Sequence, residues 1–174
     1  MTGKSFLNGV TRDREDILGR FLLVLAGTEI PYCVIGGLAV NAYVEPVVSL
    51  DLDVVVALDR LDSVLAESRR SGLTAETFEH SVNLESPDSD LRIQLQTDGR
   101  YQPFLARAVE KDVLGYRMRV ACVEDVLQGK VWVYSDETRR RSKRQKDLAD
   151  IMRLVEAFPA LRNTLPEDVR RLMD

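Results

Sequence analysis

The stretch Tyr32-Cys33-Val34-Ile35-Gly36-Gly37, followed closely by Asp51-Leu52-Asp53-Val54-Val55-Val56, decides how this chain folds. Both segments contain apolar and β-branched runs, which favour buried strands. Side chains along a strand alternate between its two faces, so Asp51 and Asp53 should lie on the same face. Two carboxylates placed in this way can share a divalent cation.

The glycine pair supplies the second half of a possible nucleotide site. Glycine permits a tight turn and a close approach of the backbone to a phosphate, and a helix beginning at Leu38 would point its N-terminal amides at an anion. Mg²⁺ binds few protein oxygens and leaves its other positions to water and triphosphate. A glycine pair alone usually marks a turn, and an isolated Asp-x-Asp often marks the solvated end of a strand. In this order and spacing, the two together predict a nucleotide and metal site.

Hydrophobic periodicity predicts helices and strands on both sides of these segments. A first helix, capped by Thr11 or Asp13, carries an apolar stripe and ends near Gly27. The predicted strands are residues 32–35, about 51–57, 74–80, 82–85, 91–97, 111–114 and 116–122. Further helices are predicted at residues 38–44, 58–70, 102–108, 123–134 and 138–158, with a short one after Pro166. We expect one α+β or α/β domain over residues 1–174, with a mixed sheet in a core at about 30–155 and C-terminal helices at 123–174.

Composition excludes several classes of protein. With 174 residues and 45% hydrophobic content, the chain suits one compact domain. Its 24 basic and 28 acidic residues leave a net charge of −4, so a polyanionic partner would have to be bound by a local positive cluster. Cys33 and Cys122 form no zinc or disulfide motif and are expected to be free thiols in a reducing cytosol. We find no apolar segment long enough to span a bilayer, and therefore expect a soluble, cytoplasmic protein with no membrane partner.

Two segments resemble the nucleotidyltransferase superfamily with the DNA-polymerase-β-like fold, namely Ile35-Gly36-Gly37-Leu38-Ala39-Val40-Asn41-Ala42-Tyr43 and Ser49-Leu50-Asp51-Leu52-Asp53-Val54. The likeness is greatest to the AbiEii-type group, many of which are the toxins of toxin–antitoxin pairs. It implies a mixed sheet of the nucleotidyltransferase type. It also implies that Asp51 and Asp53 are catalytic and bind Mg²⁺ or Mn²⁺, and that Gly36, Gly37 and Ser49 contact the nucleotide.

Two later segments extend this resemblance, namely Val123-Glu124-Asp125-Val126-Leu127-Gln128-Gly129-Lys130 and Arg144-Gln145-Lys146-Asp147-Leu148-Ala149-Asp150-Ile151. They are similar to the family's late lysine and to its helix with an Arg…Lys-Asp-x-x-Asp pattern. The resemblance implies that Lys130 is a catalytic residue facing the triphosphate and that Asp147 binds the nucleotide at the rim of the cleft. From the residues alone, Lys130 could also extend along the surface with its ammonium group in water, as most lysines do.

The chain departs from the family at two positions. Gln94 stands where a third acidic residue is expected, and Gln96 shares its face of the strand. An amide oxygen can ligate Mg²⁺ but brings no negative charge, so Gln94 is a candidate metal ligand. Reduced metal affinity, a carboxylate supplied by Glu85 or Asp90, and loss of catalysis are the open alternatives. Many relatives also carry an arginine where this chain has Val47.

These features predict a Mg²⁺-dependent nucleotidyltransferase that moves a nucleoside monophosphate from an NTP to a hydroxyl or phosphate acceptor. The resemblance implies a toxin role, with tRNA or another RNA as acceptor and a protein antitoxin as partner. The basic run at 139–146 could receive such a polyanion, although basic runs usually form a solvated surface. His80, the only histidine, is expected to be a surface or turn residue rather than a base. The alternative is a catalytically degenerate member of the fold that acts as a binding or regulatory module.

Overall fold

The fold is built on one mixed sheet of seven strands in a computed structural model that describes residues 2–173. The strands are β1 (Tyr32–Ile35), β2 (Asp51–Val56), β3 (Thr74–Thr77), β4 (Ser81–Ser86), β5 (Ser89–Gln96), β6 (Val109–Val113) and β7 (Tyr116–Val120). They lie side by side in the order β3-β4-β5-β2-β1-β7-β6. The single domain over residues 1–174 stays a prediction, and Met1 and Asp174 at its ends lie outside the described residues.

Helices pack around this sheet, and several dominate the C-terminal part. They are α1 (Gly3–Val10), α2 (Ile17–Thr28), α3 (Gly36–Val40), α4 (Leu61–Arg70), α5 (Phe104–Arg107), α6 (Val123–Ser135), α7 (Arg141–Ala157) and α8 (Glu167–Arg170). None of the helices between residues 2 and 173 combines the length and the apolar character that crossing a membrane requires. The mixed sheet with packed helices confirms the expected α+β class.

β1 and β2 form the centre of the sheet. They run antiparallel, with Val34 opposite Val54 and Ile35 opposite Asp53. On the outer sides of this pair, β7 lies parallel to β1 and β5 lies parallel to β2. Val34 and Val54 have no exposed surface, as expected for central strands. Asp51 and Asp53 are the polar exceptions, and they lie at the end of β2 where β1 turns into α3.

The turn from β1 into α3 depends on glycine. α3 begins at the glycine pair itself, Gly36–Val40, rather than at the predicted residues 38–44. Gly36 has φ +69°, a left-handed conformation that residues with a side chain rarely adopt. A Cβ atom added to Gly36 would lie 2.1 Å from Oδ2 of Asp53. The absent side chain therefore allows β1 to turn directly against the Asp53 carboxylate.

The sequence does not predict the N-terminal helix α1. Its Leu7 is buried, and its Lys4 forms an ion pair with Asp16 at 2.6 Å. Tyr116 of β7 donates a hydrogen bond to the same carboxylate at 2.5 Å. Because these contacts join residues distant in sequence, local periodicity gives little sign of them.

The predicted capping of α2 is wrong. Asp16 is the residue before the helix, and its side chain accepts a hydrogen bond from the Gly19 amide. Thr11 instead follows the last turn of α1, where its hydroxyl donates to the Leu7 carbonyl. The Asp13 carboxylate, four residues before Ile17, accepts a hydrogen bond from the Ile17 amide and so also stabilises the start of α2.

Other predicted boundaries shift by a few residues. The helix predicted at 102–108 shortens to α5, after a 3₁₀ turn at Gly99–Tyr101, and the helix predicted at 138–158 begins only at Arg141. The strand predicted at 74–80 ends at Thr77. Between β6 and β7, Leu114 and Gly115 have φ of 53° and 84°, and a two-residue type I′ hairpin turn requires such positive values.

Replacing Gly36 with alanine is expected to lower the free energy of unfolding by about 2 to 4 kcal/mol, because the methyl group meets the Asp53 carboxylate in an unfavourable backbone conformation. In an Asp53→Ala background the carboxylate is gone and only the Cβ of residue 53 stays close, at 3.1 Å, so the same change should cost little more than the backbone strain, about 1 to 2 kcal/mol. Urea denaturation followed by circular dichroism measures both values.

Gly27→Ala is the matched control for this experiment. An added Cβ at Gly27, within α2, would have no neighbour within 4 Å, so alanine should raise the free energy of unfolding by about 0.5 to 1 kcal/mol. Similar effects of alanine at Gly36 and Gly27 would contradict the close packing of the β1 turn against β2.

Candidate active site

A cavity of about 280 Å³ opens at the end of β2 that carries the two aspartates. β1, β2, β5, α6 and α7 contribute to its wall. Six of the residues predicted from the sequence line it together, namely Gly36, Asp51, Asp53, Gln94, Lys130 and Asp147. Gly37 and Ser49 are not among its lining residues. The cavity therefore gathers most, but not all, of the predicted site.

The two aspartates have the arrangement that the strand period predicts. Asp51 and Asp53 both line the cavity, while Leu52 between them has no exposed surface. β1 ends opposite Asp53, so the bend at Gly36 lies directly beside this carboxylate. The glycine bend and the carboxylate pair consequently face one space.

Gly37 and Ser49 line a separate small pocket together with Asn41 and Val47. A Cβ added to Gly37 would be 3.2 Å from Oγ of Ser49, so these two residues pack closely. The Ser49 hydroxyl donates to the Asp51 carbonyl at 3.1 Å. Val47, where the sequence resemblance places an arginine, is 50% exposed, and its backbone N–H and C=O bond to the Asn41 side chain at 2.9 and 2.7 Å. This segment thus fixes the start of β2.

The position beside Asp53 is occupied by an amide. β5 runs parallel to β2 and sets Gln94 level with Asp53, where the resemblance places a third acidic residue. Neither Glu85 nor Asp90 lines the cavity, and each lies near an arginine, at 3.6 and 3.5 Å. Across residues 2–173, no cluster of three or more His, Cys, Asp or Glu side chains is arranged to hold a metal ion. Recruitment of Glu85 or Asp90 as the third carboxylate is therefore not supported.

The electrostatic environment of Asp53 is unfavourable to its charge. Burial, with the neighbouring Asp51 carboxylate as the next cause, raises the pKa of Asp53 to about 6. Lys130, Arg139 and Lys143 act in the opposite direction but do not cancel these two effects. A cation placed between the two carboxylates would relieve this repulsion.

The donor set fits one hard divalent cation. Asp51 and Asp53 offer carboxylate oxygens, and Gln94 offers a neutral amide oxygen on the adjacent strand. Mg²⁺ accepts such a small protein set when water or phosphate oxygens complete its coordination, and Mn²⁺ prefers similar ligands. Asp147 is the remaining carboxylate among the described lining residues, and both of its oxygens already accept hydrogen bonds from Lys130 and Arg139, so a second ion would have no unengaged carboxylate there.

Lys130 is at the centre of a buried ionic network between α6 and α7. Its side chain is 7% exposed, and Nζ lies 3.0 Å from Asp147 Oδ1 and 2.7 Å from Asp150 Oδ2. Lys130 donates a hydrogen bond to Asp147 and forms a close ion pair with Asp150. Burial alone would lower the pKa of Lys130, but the Asp150 and Asp147 carboxylates outweigh burial and raise it. Lys130 is therefore a fixed, charged residue and not a solvated surface lysine.

Two arginines complete this network. Arg139 Nε donates to the second oxygen of Asp147 at 2.7 Å, and Arg153 donates to Asp150 at 2.8 Å. Asp147 is only 2% exposed and both of its oxygens are engaged, so in this structure it positions Lys130 and Arg139 at the cavity wall. The pairing of Lys130 with Asp150 was not predicted from the sequence, although the i, i+3 spacing of Asp147 and Asp150 on one helix face is its visible signal.

Arg92 is a cavity residue that was not predicted from the sequence. Arg92 lies on β5 two residues before Gln94, level with Asp51, and its Nη1 is 3.9 Å from Asp51 Oδ1. Lys143, from the basic run at 139–146, approaches the other Asp51 oxygen at 3.7 Å. The alternation Arg92-x-Gln94-x-Gln96 was the available signal, since one strand face carries all three residues.

Comparison with known proteins finds solved structures with a similar fold but no matching family and no matching curated protein. The chain matches no protein-family model, and no curated protein matches it. Among solved structures, a crystal structure of ANT(2″)-Ia in complex with adenylyl-2″-tobramycin has a TM-score of 0.65 at 15% identity, covering 90% of this chain and 94% of that one.

Two further solved structures are similar. The lincosamide antibiotic adenylyltransferase LnuA, bound to lincomycin, has a TM-score of 0.58 at 11% identity, covering 82% of this chain and 98% of that one. An antigenic nucleotidyltransferase-like protein from Paracoccidioides brasiliensis has a TM-score of 0.55 at 16% identity, covering 91% of this chain and 94% of that one. The chain therefore has the nucleotidyltransferase fold, while none of these structures bears on the AbiEii-type grouping.

Replacing Lys130 with methionine is expected to lower the free energy of unfolding by about 3 kcal/mol, because Asp147 and Asp150 would stay buried with one cation fewer. Urea denaturation measures this cost. Adding Asp150→Asn to the variant should recover part of the loss. Lys146→Met, at an exposed position of α7, is the control and should change stability by less than about 0.5 kcal/mol. An equally small effect at Lys130 would contradict the buried network.

The raised pKa of Asp53 predicts a pH-dependent effect of Asp53→Asn in metal-free buffer. Between pH 3.8, the ordinary pKa, and about 6, the folded state binds more protons than the unfolded state, so Asp53 lowers stability as pH rises through this window. The asparagine variant lacks this contribution and should gain about 1 to 3 kcal/mol relative to wild type on going from pH 4 to pH 7.5. Urea denaturation at both pH values, with EDTA present, checks the result; a difference independent of pH would contradict it.

Proposed function

We propose that this protein is a metal-dependent nucleotidyltransferase that transfers a nucleoside monophosphate from an NTP to an acceptor. The observation that supports this most strongly is the shared cavity in which Asp51 and Asp53 face the bend at Gly36. The combination provides hard ligands for a cation and close backbone access for phosphates. Neither the carboxylate pair nor the glycine bend alone would indicate a nucleotide site.

In the proposed reaction, an acceptor oxygen attacks the α-phosphorus of the NTP and pyrophosphate leaves. Asp51, Asp53 and the amide oxygen of Gln94 would hold one Mg²⁺ or Mn²⁺, which would neutralise triphosphate charge and orient its oxygens. Lys130 and Arg139 would give the α6–α7 wall a fixed positive potential, since buried carboxylates hold both in place. Gly36 would let the triphosphate approach the backbone closely.

The similar structures support this activity by analogy of fold. LnuA is described as a lincosamide antibiotic adenylyltransferase, and the ANT(2″)-Ia structure contains adenylyl-2″-tobramycin, an adenylylated antibiotic. Adenylyl transfer is one form of nucleotidyl transfer, so the same fold carries the proposed chemistry elsewhere. The acceptors in those structures, tobramycin and lincomycin, are properties of those proteins.

The toxin role, the RNA acceptor and the protein antitoxin follow only from the sequence resemblance and stay proposals. The basic run gives an RNA acceptor limited support. Arg139 and Lys143 face the cavity, but Arg144 stacks over the Tyr134 ring and donates to the Tyr134 carbonyl, so it is engaged elsewhere. A cytoplasmic location belongs to the same set of expectations.

A catalytically degenerate binding protein is the second candidate function. The specific observation in its favour is Gln94, which stands level with Asp53 where the resemblance places an acid. A protein of this kind would bind nucleotide weakly or without metal and would transfer nothing.

Isothermal titration with each common NTP and Mg²⁺ is expected to show binding that Asp51→Asn and Asp53→Asn each weaken by at least about tenfold, because each removes an anionic ligand of the cation. Incubation with α-³²P-labelled NTPs and candidate acceptors should show transfer of label by wild type and none by either variant. Asp62→Asn, at an exposed position of α4, is the matched control and should behave as wild type.

The outcomes of these experiments separate the two candidate functions and test the proposed site. Mg²⁺-dependent binding together with label transfer supports the transferase. Binding that is the same in wild type and in Asp51→Asn and Asp53→Asn removes the proposed site, and binding without any transfer favours the degenerate binding protein.

A further inference from the structure

Two cations at the edge of the cavity are only loosely held. Arg92 Nη1 lies 3.9 Å and Lys143 Nζ lies 3.7 Å from the nearest oxygens of Asp51, both beyond hydrogen-bond length. Their side chains are 51% and 44% exposed. Lys130, in contrast, is 7% exposed and contacts two buried carboxylates at 3.0 and 2.7 Å. Arg92 Nε also lies 3.6 Å from the exposed Glu85 carboxylate, again beyond hydrogen-bond length. Arg92 and Lys143 can therefore turn to an arriving anion without breaking a side-chain hydrogen bond, whereas Lys130 is committed to the protein.

The part of β5 that lines the cavity carries no acid, because Asp90, two residues before Arg92, does not line it. Arg92, Gln94 and Gln96 follow one another on this face at the strand period and all line the cavity. The parallel register with β2 sets Gln94 beside Asp53 and Arg92 beside Asp51. This strand therefore brings a guanidinium and two neutral amides, which attract an anion and cannot remove a proton.

Among the described side chains that line the cavity, none offers a free base. Both oxygens of Asp147 accept from cations, and only 2% of this side chain is exposed. Burial raises the pKa of Tyr101 to about 12, so its phenol stays protonated at neutral pH. Asp51 and Asp53 are the proposed metal ligands. A neutral hydroxyl acceptor must lose a proton to a base within hydrogen-bond reach, whereas an acceptor that is already an anion has no proton to lose.

A second cavity contains the rival candidate for a base. Its carboxylates, Asp98 and Asp136, already accept hydrogen bonds from Arg100 and Thr138, which leaves its histidine. The cavity measures about 460 Å³, and Gln96, Tyr101 and Val133 line both cavities. His80 lines only this second cavity, where its side chain is 69% exposed and Nε2 lies 3.6 Å from Glu79. A hydroxyl acceptor activated by His80 is therefore the alternative to an anionic acceptor.

We propose that the acceptor is an oxyanion, a phosphate or a carboxylate, which Arg92 and Lys143 bind beside Asp51. The proposal rests on the nucleotidyl transfer proposed above. The charged acceptor oxygen forms a bond to the α-phosphorus, the bond from this phosphorus to the oxygen bridging to the β-phosphorus breaks, and pyrophosphate leaves with that electron pair. No proton leaves the acceptor. The product is an anhydride, a diphosphate from a phosphate or an acyl phosphate from a carboxylate.

Inorganic phosphate, acetate and glycerol are minimal probes that separate the acceptor classes. With Mg²⁺ and an NTP, ³²P-labelled phosphate should enter the β-position of a nucleoside diphosphate, or acetate should form an acyl nucleotide that hydroxylamine traps. The first result assigns a phosphate acceptor and the second a carboxylate. Formation of a glycerol ester faster than either anhydride would overturn the proposal, most directly if His80→Asn abolished it.

Binding measurements test the proposal without turnover. With Mg²⁺ and a saturating non-hydrolysable NTP analogue, phosphate or acetate should still shift the ¹⁵Nε resonance of Arg92, whereas glycerol should not. Arg92→Gln and Lys143→Gln should each weaken this anion binding by about tenfold and leave analogue binding nearly unchanged. Arg69→Gln, at an exposed position of α4, is the matched control.

Loss of all anion binding when the analogue is present would overturn the proposal, because Arg92 and Lys143 would then serve the donor triphosphate. Weaker analogue binding in Arg92→Gln and Lys143→Gln would lead to the same conclusion. Failure of the analogue to bind wild type would instead remove the proposed function itself, and the acceptor proposal would fall with it.

Discussion

The close contact between Gly36 and Asp53 is the constraint on which the site depends. β1 and β2 are antiparallel neighbours, and β1 reaches its end directly opposite Asp53. At that point the chain must turn without displacing the carboxylate, and the 2.1 Å separation that a Cβ would have leaves no space for any side chain. Because Gly36 has no side chain, β1 can end against Asp53, α3 can begin at once, and the Asp53 carboxylate keeps its place in the cavity wall.

A second constraint holds the facing wall of helices. Lys130 joins α6 to α7 through Asp147 and Asp150, and Arg139 and Arg153 each pair with one of these two carboxylates. Removing these groups from water is costly, and each is tolerable only because a partner of opposite charge lies within a few ångströms. The network therefore fixes which cations are committed to the protein. It leaves Arg92 and Lys143 as the cations that can respond to a ligand.

Much of this arrangement could be predicted from local sequence. The strand period placed Asp51 and Asp53 on one face, and the glycine pair marked the bend because few other residues adopt its backbone conformation. Resemblance to a family directed attention to Lys130 and Asp147. The α+β class followed from the order of helices and strands, with boundaries displaced by a few residues.

The remainder depends on contacts between segments that are distant in sequence. Asp16 forms an ion pair with Lys4 of α1 and accepts a hydrogen bond from Tyr116 of β7. The periodicity of the first residues does not reveal these contacts. Arg92 became a site residue only when the parallel register with β2 was known, since the same alternation would suit a solvated strand face.

The ends of the sheet have a consequence for self-association. β3 and β6 lie at its two edges, and they are short strands with the sequences Thr-Ala-Glu-Thr and Val-Glu-Lys-Asp-Val. An unpaired edge is a template for another chain, but short length and mixed charge make cross-chain β-pairing unfavourable. The apolar centre of the sheet is thereby shielded from fibril-like growth.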